Sequence, residues 1–183
     1  MLTDYVVIDL EMTGLNAKTD RILEAGAARV RGNVVTAAFS VIINPKRELS
    51  EKVISLTGIT NEMAVQGKEM DATLMAFLDF IGEDILVGQN VIFDYSFLKQ
   101  WAVNHKRTFE RNAVDTLKLA RKFLPQEQKK DLASLCSYFG IERVHAHRAL
   151  DDVMETQQIF EQLKKCMRQE HRRRFDHIRC NKK

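Results

Sequence analysis

The chain has 183 residues, of which 45% are apolar and 29% charged, with only two prolines. This composition excludes a disordered, collagen-like or low-complexity chain, and the length suits one domain with its own core. The longest apolar runs have only a few residues, far below the ~18 that a membrane span needs, so we expect no membrane partner. The N-terminus lacks a basic segment followed by an apolar one, and the three cysteines are widely spaced. We therefore expect no secretory signal, no disulfide framework and a cytoplasmic location.

Charge is distributed unevenly along the chain, whose formal net charge is +3. Residues 164–183 carry nine Lys or Arg and two acids, a net charge of +7, which leaves −4 for the rest. We accordingly divide the chain into a domain over 1–165 and a basic C-terminal tail over 166–183. The tail could contact phosphates or could be a solvated end that only aids solubility. Its possible zinc ligands have a spacing that matches no trusted zinc motif: Cys166, His171, His177 and Cys180.

The first part of the chain is predicted to form strands. Residues 5–10 are a β-branched run that is typical of a buried strand. Segments 22–31 and 34–43 flank Gly32-Asn33, a dipeptide that favours a hairpin turn. Three strands joined by short connections predict an antiparallel meander.

After Pro45 the pattern becomes mainly helical. Segment 71–81, for example, has apolar residues at 74, 77, 78 and 81, the spacing of one helix face. Helices are predicted over 50–56, 71–81, 94–103, 117–124, 131–139 and 150–167, and short strands over 85–87 and at 114. Strands first, then strands alternating with helices, predict an α/β fold in which helices pack on a mixed sheet.

The first predicted strand ends in two acids, Asp9 and Glu11. Residues two apart on a strand point to the same face. Burying two adjacent carboxylates is costly unless a cation or hydrogen-bond donors compensate. The alternative is a frayed strand end on which both acids are solvated.

The second acidic place is Asp94, which opens a predicted helix. Phe97, Leu98 and Trp101 follow it at three, four and seven positions, so Asp94 shares the inward face of the first turn. Taken alone, an acid at this place is also explained by the helix dipole.

The third acidic place opens the last predicted helix, where two aspartates compete. Asp152 lies on the edge of the apolar stripe and is predicted to face inward. Asp151 is predicted to be solvated, because it begins a polar stripe that continues through Glu155, Gln158, Gln162 and Lys165. His147 precedes Asp152 by five residues, which is not a same-face helical spacing, so it must reach a site from the loop.

Together these places predict four carboxylates on inward faces at the ends of different elements: Asp9, Glu11, Asp94 and Asp152. They cannot all stay ionised in one pocket without cations. Hard divalent ions, Mg²⁺ or Mn²⁺, are the natural partners of carboxylate oxygens. Two such ions ~4 Å apart would stabilise the attacking and leaving oxygens of a phosphodiester displacement. A neutral His147 beside them could accept a proton from the attacking water.

Three motifs carry a resemblance to a known family: Asp9-x-Glu11, Asn90-x-x-Phe93-Asp94 and His147-x-x-x-x-Asp152. They resemble the motifs of the DEDD superfamily in its histidine-bearing branch, the DnaQ-like 3′–5′ exonucleases. That branch includes the proofreading epsilon subunit of DNA polymerase III, ribonuclease T and oligoribonuclease. The resemblance covers about residues 4–164. It implies a ribonuclease H-like fold, with a mixed five-stranded sheet flanked by helices.

The resemblance also implies roles for the acidic residues and the histidine. Asp9, Glu11 and Asp152 would ligate two Mg²⁺ or Mn²⁺ ions directly. Asp94 would hold one ion largely through water, and His147 would be the general base.

Residues next to two of the motifs receive roles in the same way. Thr13, Gly14 and Leu15 match positions that line the pocket of the terminal nucleotide in relatives. Phe93 is expected to be a core anchor beside the site. The helical spacing of Trp101 from Asp94 and Phe97 favours a core residue over a base-stacking platform. Met12 stands where proofreading members usually have threonine, and segment 9–15 is more similar to oligoribonuclease there.

The function implied is removal of nucleoside 5′-monophosphates from the 3′ end of single-stranded DNA or RNA. One alternative is an oligoribonuclease-like enzyme that acts on very short RNA. Another is a nucleic-acid-binding or polymerase-associated module that has lost catalysis. Nothing in the chain resembles a polymerase domain, so a polymerase would have to be a partner. The oligomeric state is not predicted.

Overall fold

The structure, a computed structural model, describes residues 1–127, 129–143 and 147–180, with side chains described up to residue 172. Its centre is one five-stranded sheet in the order β3-β2-β1-β4-β5. The strands are β1 (Tyr5–Met12), β2 (Ile22–Arg31), β3 (Val34–Ile42), β4 (Leu86–Gly88) and β5 (Ala113–Asp115). β1, β2 and β3 are antiparallel, whereas β4 pairs parallel with both β1 and β5. The predicted mixed sheet is confirmed.

The β2–β3 hairpin forms at the predicted dipeptide. Gly32 and Asn33 have φ values of 58° and 68°. A two-residue turn with both central residues in the left-handed region matches the twist of the flanking strands, and Gly and Asn adopt that region most easily.

Seven helices surround the sheet in the described part of the chain. They are α1 (Glu51–Thr57), α2 (Asn61–Gln66), α3 (Met70–Ile81), α4 (Ile92–Asn104), α5 (Thr116–Phe123), α6 (Leu132–Phe139) and α7 (Ala149–Cys180). Side chains of Ser50, Asp115 and Asp131 accept hydrogen bonds from the first turns of α1, α5 and α6. Gly58 and Gly140 end α1 and α6 in the left-handed conformation. None of the described helices is long and apolar enough to cross a membrane.

Two helices differ from the sequence prediction. The six-residue α2 was not predicted, because so short a helix shows no periodicity and rests on its cap, Thr60, whose side chain accepts from the Met63 N–H. The last helix was expected to end at residue 167 but continues to Cys180. The side chains of His177 and Cys180, half of the zinc pattern considered above, lie outside the described part.

The two faces of the sheet bury different helices, and β1 contributes to both. Val6, Ile8 and Leu10 pack with α3 and α4. Tyr5 and Val7 pack with α7 on the other face. Because side chains alternate along a strand, Asp9 and Glu11 project on the α7 face, at the carboxyl end of the central strand.

Candidate active site

The end of β1 extends past the end of its neighbour β4, and this exposes its backbone to a side chain. Val87 pairs with Val7, and β4 stops at Gly88. The Leu10 N–H therefore donates to Asp94 Oδ1, 2.9 Å away, instead of to a strand. Asp94, 5% exposed at the first turn of α4, is thereby held at the end of β1 beside Asp9 and Glu11.

The start of α7 brings the other predicted residues to the same place. One ligand atom each of Glu11, His147 and Asp152 lie within 4.8 Å of one another. Asp152 is buried on the inward side of α7, as its helical spacing predicts. His147 lies in the loop before the helix with φ 59°, so the loop rather than the helix directs its ring.

The carboxylates are close enough to repel one another strongly. Burial and the charges of Asp94 and Glu11 raise the pKa of Asp9 well above its ordinary value. Burial, then Asp152 and Glu24, raise the pKa of Glu11 to about 8. Burial raises the pKa of Asp94 to about 7, although the Leu10 N–H bond opposes this shift. Burial also raises the pKa of Asp152. The protein alone therefore offers less positive charge here than the ionised carboxylates need.

A hard divalent cation fits this set of donors. Carboxylate oxygens suit Mg²⁺ or Mn²⁺, and a bound cation would relieve the repulsion that raises the pKa values. Glu11, Asp152 and His147 form the described group that could hold one ion. Asp9 and Asp94 border the group, since the charges of Asp94 and Glu11 raise the pKa of Asp9 and the charge of Asp94 raises the pKa of Glu11.

A buried ion pair that sequence reasoning missed ties α7 to the sheet. Glu24, opposite Glu11 across the β1–β2 pair, is 1% exposed. Its carboxylate accepts from Arg148 Nε and Nη2 at 3.2 and 3.1 Å, and from the Ala149 N–H at 3.1 Å. We call these three bonds the Glu24 clamp. It fixes the two residues that directly follow His147.

Gly26 allows the start of α7 to pack closely against β2. It lies two positions after Glu24 on the same face of β2 and pairs with Asp9. A Cβ at Gly26 would lie 2.6 Å from the carbonyl carbon of Ala149. The chain therefore needs glycine here for the close approach of the helix. An acid and a glycine within the otherwise apolar segment 22–28 were the available sequence signal.

Arg143 forms a second missed ion pair, and it overturns one prediction. Its guanidinium donates to Asp152 Oδ1 at 2.9 Å and to Glu155 Oε2 at 2.8 Å. Glu155 was expected on a solvated stripe but is 3% exposed, because Arg143 and Cys136 cover that side of α7. The polar pattern could not reveal a paired, buried carboxylate. Arg143 leaves the other oxygen of Asp152 available to the site.

The three residues expected to line a nucleotide pocket follow β1 directly. Thr13 is fixed by two contacts to Arg21, since its N–H donates to the Arg21 carbonyl at 2.9 Å and its Oγ1 accepts from the Arg21 N–H at 3.0 Å. Gly14 packs against Asp20, whose carboxylate would clash with a Cβ at this position. Leu15 is 74% exposed beside the site.

Phe93 corrects another expectation. It was expected as a core anchor, but it is 36% exposed at the first turn of α4. Asp94 and Phe97 take the inward positions of this turn, so Phe93 faces outward next to the carboxylates. Trp101, two turns on, is buried as predicted and donates its Nε1–H to Asp71.

A mixed five-stranded sheet with four acids gathered at the end of its central strand defines the class: this is the fold and site of a DnaQ-like exonuclease. Residues 6–160 match the family model RNase_T, described as exonuclease, and the chain belongs to this family.

Two curated relatives illustrate the sequence similarity. The chain is 37% identical over 157 residues to the DNA polymerase III subunit epsilon of Aquifex aeolicus, covering 85% of this chain and 78% of that protein. It is 34% identical over 167 residues to the PolC-type DNA polymerase III of Clostridium perfringens, covering 91% of this chain and 12% of that protein. The chain thus spans a small part of the PolC-type relatives.

Solved structures support the fold. Escherichia coli exonuclease I in complex with a dT13 oligonucleotide matches with a TM-score of 0.80 and 19% identity, over 96% of this chain and 44% of that one. Exonuclease X in complex with 5′ overhanging duplex DNA matches with a TM-score of 0.69 and 22% identity, over 86% and 89%. The ribonuclease H-like fold implied by the motifs is confirmed.

Proposed function

We propose that the protein is a metal-dependent 3′–5′ exonuclease that releases nucleoside 5′-monophosphates from single strands. The observation that carries this is the convergence of Glu11, His147 and Asp152 within 4.8 Å, at the end of the strand that bears Asp9. The exonuclease family of the chain supports the same reaction class.

In this proposal each residue has one task. Asp9, Glu11 and Asp152 hold two Mg²⁺ or Mn²⁺ ions, and Asp94 holds one of them largely through water. The ions, when bound, supply positive charge to the attacking and leaving oxygens of the phosphodiester. His147, in the loop beside Asp152, accepts the proton of the attacking water. Thr13, Gly14 and Leu15 orient the terminal nucleotide.

We further propose DNA as the main substrate, with a polymerase as partner in the cytoplasm. The names of the relatives, DNA polymerase III subunit epsilon and PolC-type DNA polymerase III, support this, as do fold relatives bound to oligonucleotides. Because Met12 resembles oligoribonuclease at this position, an oligoribonuclease-like preference for short RNA is the second candidate function. We keep 1–165 as the exonuclease domain and 166–183 as a basic tail.

Digestion of 5′-labelled strands tests this function. A DNA oligonucleotide, a long RNA and a dinucleotide are each incubated with Mg²⁺ or Mn²⁺, and then with a chelator. We expect shortening from the 3′ end with release of mononucleotides, fastest on DNA, and none with chelator. Product release from no strand would contradict the proposal and favour a binding module.

Asp9→Asn is the matching variant. Metal ions contribute several kcal/mol of transition-state stabilisation, so turnover should fall by roughly 10³-fold or more. Asp79→Asn is the control, because Asp79 is an exposed acid on α3. It should leave turnover unchanged.

A further inference from the structure

A second polar pocket lies on the same face of the sheet as the carboxylates. It has a volume of about 440 Å³ between the end of β4 and helices α5 and α6. It is lined by Gln89, Asn90, Leu117, Arg121, Lys130, Asp131 and Leu132. We call it the basic pocket. α5 and α6 pack on α7, which places the pocket on the side to which Asp9 and Glu11 project.

The basic pocket adjoins the catalytic centre through β4. β4 pairs with β1 and ends at Gly88, so Gln89 and Asn90 form the turn between β4 and α4, the helix that bears Asp94. Adjacent strands are ~5 Å apart. The basic pocket therefore lies one strand away from the carboxylates of β1.

The charge of this region contrasts with the mildly acidic body of the chain. Segment 116–131 contains five Lys or Arg and two acids. Arg121 is exposed and Lys130 half-buried. Neither forms a salt bridge with an acidic side chain among the residues the structure describes, whereas Arg31, Lys99 and Arg111 each do.

The one acid in the pocket is already engaged. Asp131 accepts from the Ser134 N–H and Oγ–H at 2.9 and 2.8 Å, as the cap of α6. Its carboxylate is therefore directed to the helix and does not neutralise Arg121 or Lys130.

The walls of the basic pocket are fixed by hydrogen bonds. Gln89 Nε2 donates to the Lys130 carbonyl at 2.7 Å, which joins β4 to the segment before α6. The Asn90 N–H donates to Asp115 Oδ1 at 3.0 Å, which holds the start of α5. A preformed pocket with unpaired cations suits a polyanion, since no internal ion pair has to be broken on binding.

We propose that the basic pocket binds the phosphate backbone of the single strand upstream of the nucleotide being removed, through Arg121 and Lys130. This inference rests on the proposed exonuclease function and adds the path of the substrate to it. The pocket would serve strands that extend past the terminal nucleotide and would not contact a mononucleotide ester.

The test compares two substrates in the double variant Arg121→Gln/Lys130→Gln. The p-nitrophenyl ester of thymidine 5′-monophosphate occupies only the catalytic centre. An oligonucleotide of about ten nucleotides is long enough to contact the basic pocket as well. We expect ester hydrolysis to be unchanged and the KM for the oligonucleotide to rise about tenfold or more with kcat retained. The slope of log KM against log salt should fall by about 1.4, which is about 0.7 for each lost phosphate contact on a single strand.

Arg107→Gln/Lys106→Gln is the matched control. Both residues are exposed and follow the far end of α4, so the charge change is equal but remote from the centre. It should leave KM and the salt slope unchanged. Fluorescence anisotropy of the labelled oligonucleotide in chelator gives the same comparison without turnover.

The outcomes separate the two proposals. If Arg121→Gln/Lys130→Gln is active with unchanged KM and anisotropy for the oligonucleotide, the proposed strand path is wrong. The exonuclease function would still hold, and an acidic protein would then be favoured as the partner that binds the basic pocket. A wild-type protein that hydrolyses no strand contradicts both. Equal loss on ester and oligonucleotide also overturns the strand path, because it shows damage to the catalytic centre.

Discussion

At the scale of single residues, Glu11 shows how position sets chemistry. It lies two residues after Asp9 on β1, opposite Glu24 and beside Asp152, and its pKa rises to about 8. An isolated carboxylate would be ionised throughout the physiological range. In the metal-free protein this pKa favours the protonated carboxyl at neutral pH, and a cation bound as we propose would displace the proton.

This coupling predicts a pH dependence of stability. The Glu11 carboxyl has a pKa of 4.5 in an unperturbed chain and about 8 in the fold. Between those values the folded protein binds more protons than the unfolded chain, so raising the pH destabilises the metal-free fold. We expect the Tm measured in chelator to fall as pH rises from about 5 to about 8. Mn²⁺ should raise the Tm more at the upper end of this range, and a flat profile in chelator would contradict the assignment.

His147 has two possible tasks that one variant separates. As general base, its replacement in His147→Ala should lower kcat by about 10²–10⁴-fold and leave Mn²⁺ affinity nearly unchanged. As a metal ligand, the same change should weaken Mn²⁺ binding. Single-turnover kinetics together with calorimetric Mn²⁺ titration measures both. Undiminished turnover in the variant would exclude either role.

The site residues that could be predicted are those whose direction follows from the periodicity of their own strand or helix. The strand period fixed the common face of Asp9 and Glu11, and the helical period fixed Asp94 and Asp152. Glu24 and Arg148 escaped prediction because their contact joins residues 124 positions apart. Phe93 was assigned wrongly, since an apolar side chain in the first turn of a helix can face either way.

At the scale of elements, β2 acts as the platform for the start of α7. Glu24 and Gly26 share one face, so the strand both binds the helix and lets it approach. The helix start in turn brings Asp152, and the loop before it brings His147, to β1. The catalytic geometry therefore depends on a strand that contributes no proposed metal ligand.

Glu24→Gln tests this dependence. The amide keeps the shape of the carboxylate but loses the charge that Arg148 and the Ala149 N–H require. Loss of a supporting residue around a metal site typically costs 10–100-fold in metal affinity or activity, and we expect about that loss in kcat and in Mn²⁺ affinity. The control Glu83→Gln removes a salt bridge of an exposed acid, with Arg111, and should change neither. A variant that loses only thermal stability would show the clamp to be merely structural.

Elements with a strong local signal were predicted well, and short or context-dependent ones were not. The hairpin at Gly32-Asn33 and the helix ends at Gly58 and Gly140 follow from backbone conformations that glycine and asparagine favour. The continuation of α7 to Cys180 does not follow from any such signal, because a charged segment is compatible with helix or coil. Lys164, within the predicted part of the helix, joins α7 to the sheet, since its buried ammonium donates to the Leu2 carbonyl and to Asn33.

At the scale of the whole molecule, an acidic and a basic region lie close together. Four acids gather at the end of β1, where we propose cations, and the basic pocket, where we propose the departing strand, lies one strand away on the same face. The sequence predicted the acidic centre because its motifs are local. The basic pocket was not predicted, because it forms only when β4, α5 and α6 assemble.

The central claim is that Asp9, Glu11, Asp94 and Asp152 together hold divalent cations. Anomalous diffraction from crystals soaked in Mn²⁺ tests it most directly. The account predicts two anomalous peaks ~4 Å apart among these carboxylates, and none in Asp9→Asn crystals. An empty cleft in the wild-type crystal, with Mn²⁺ present in the soak, would contradict it.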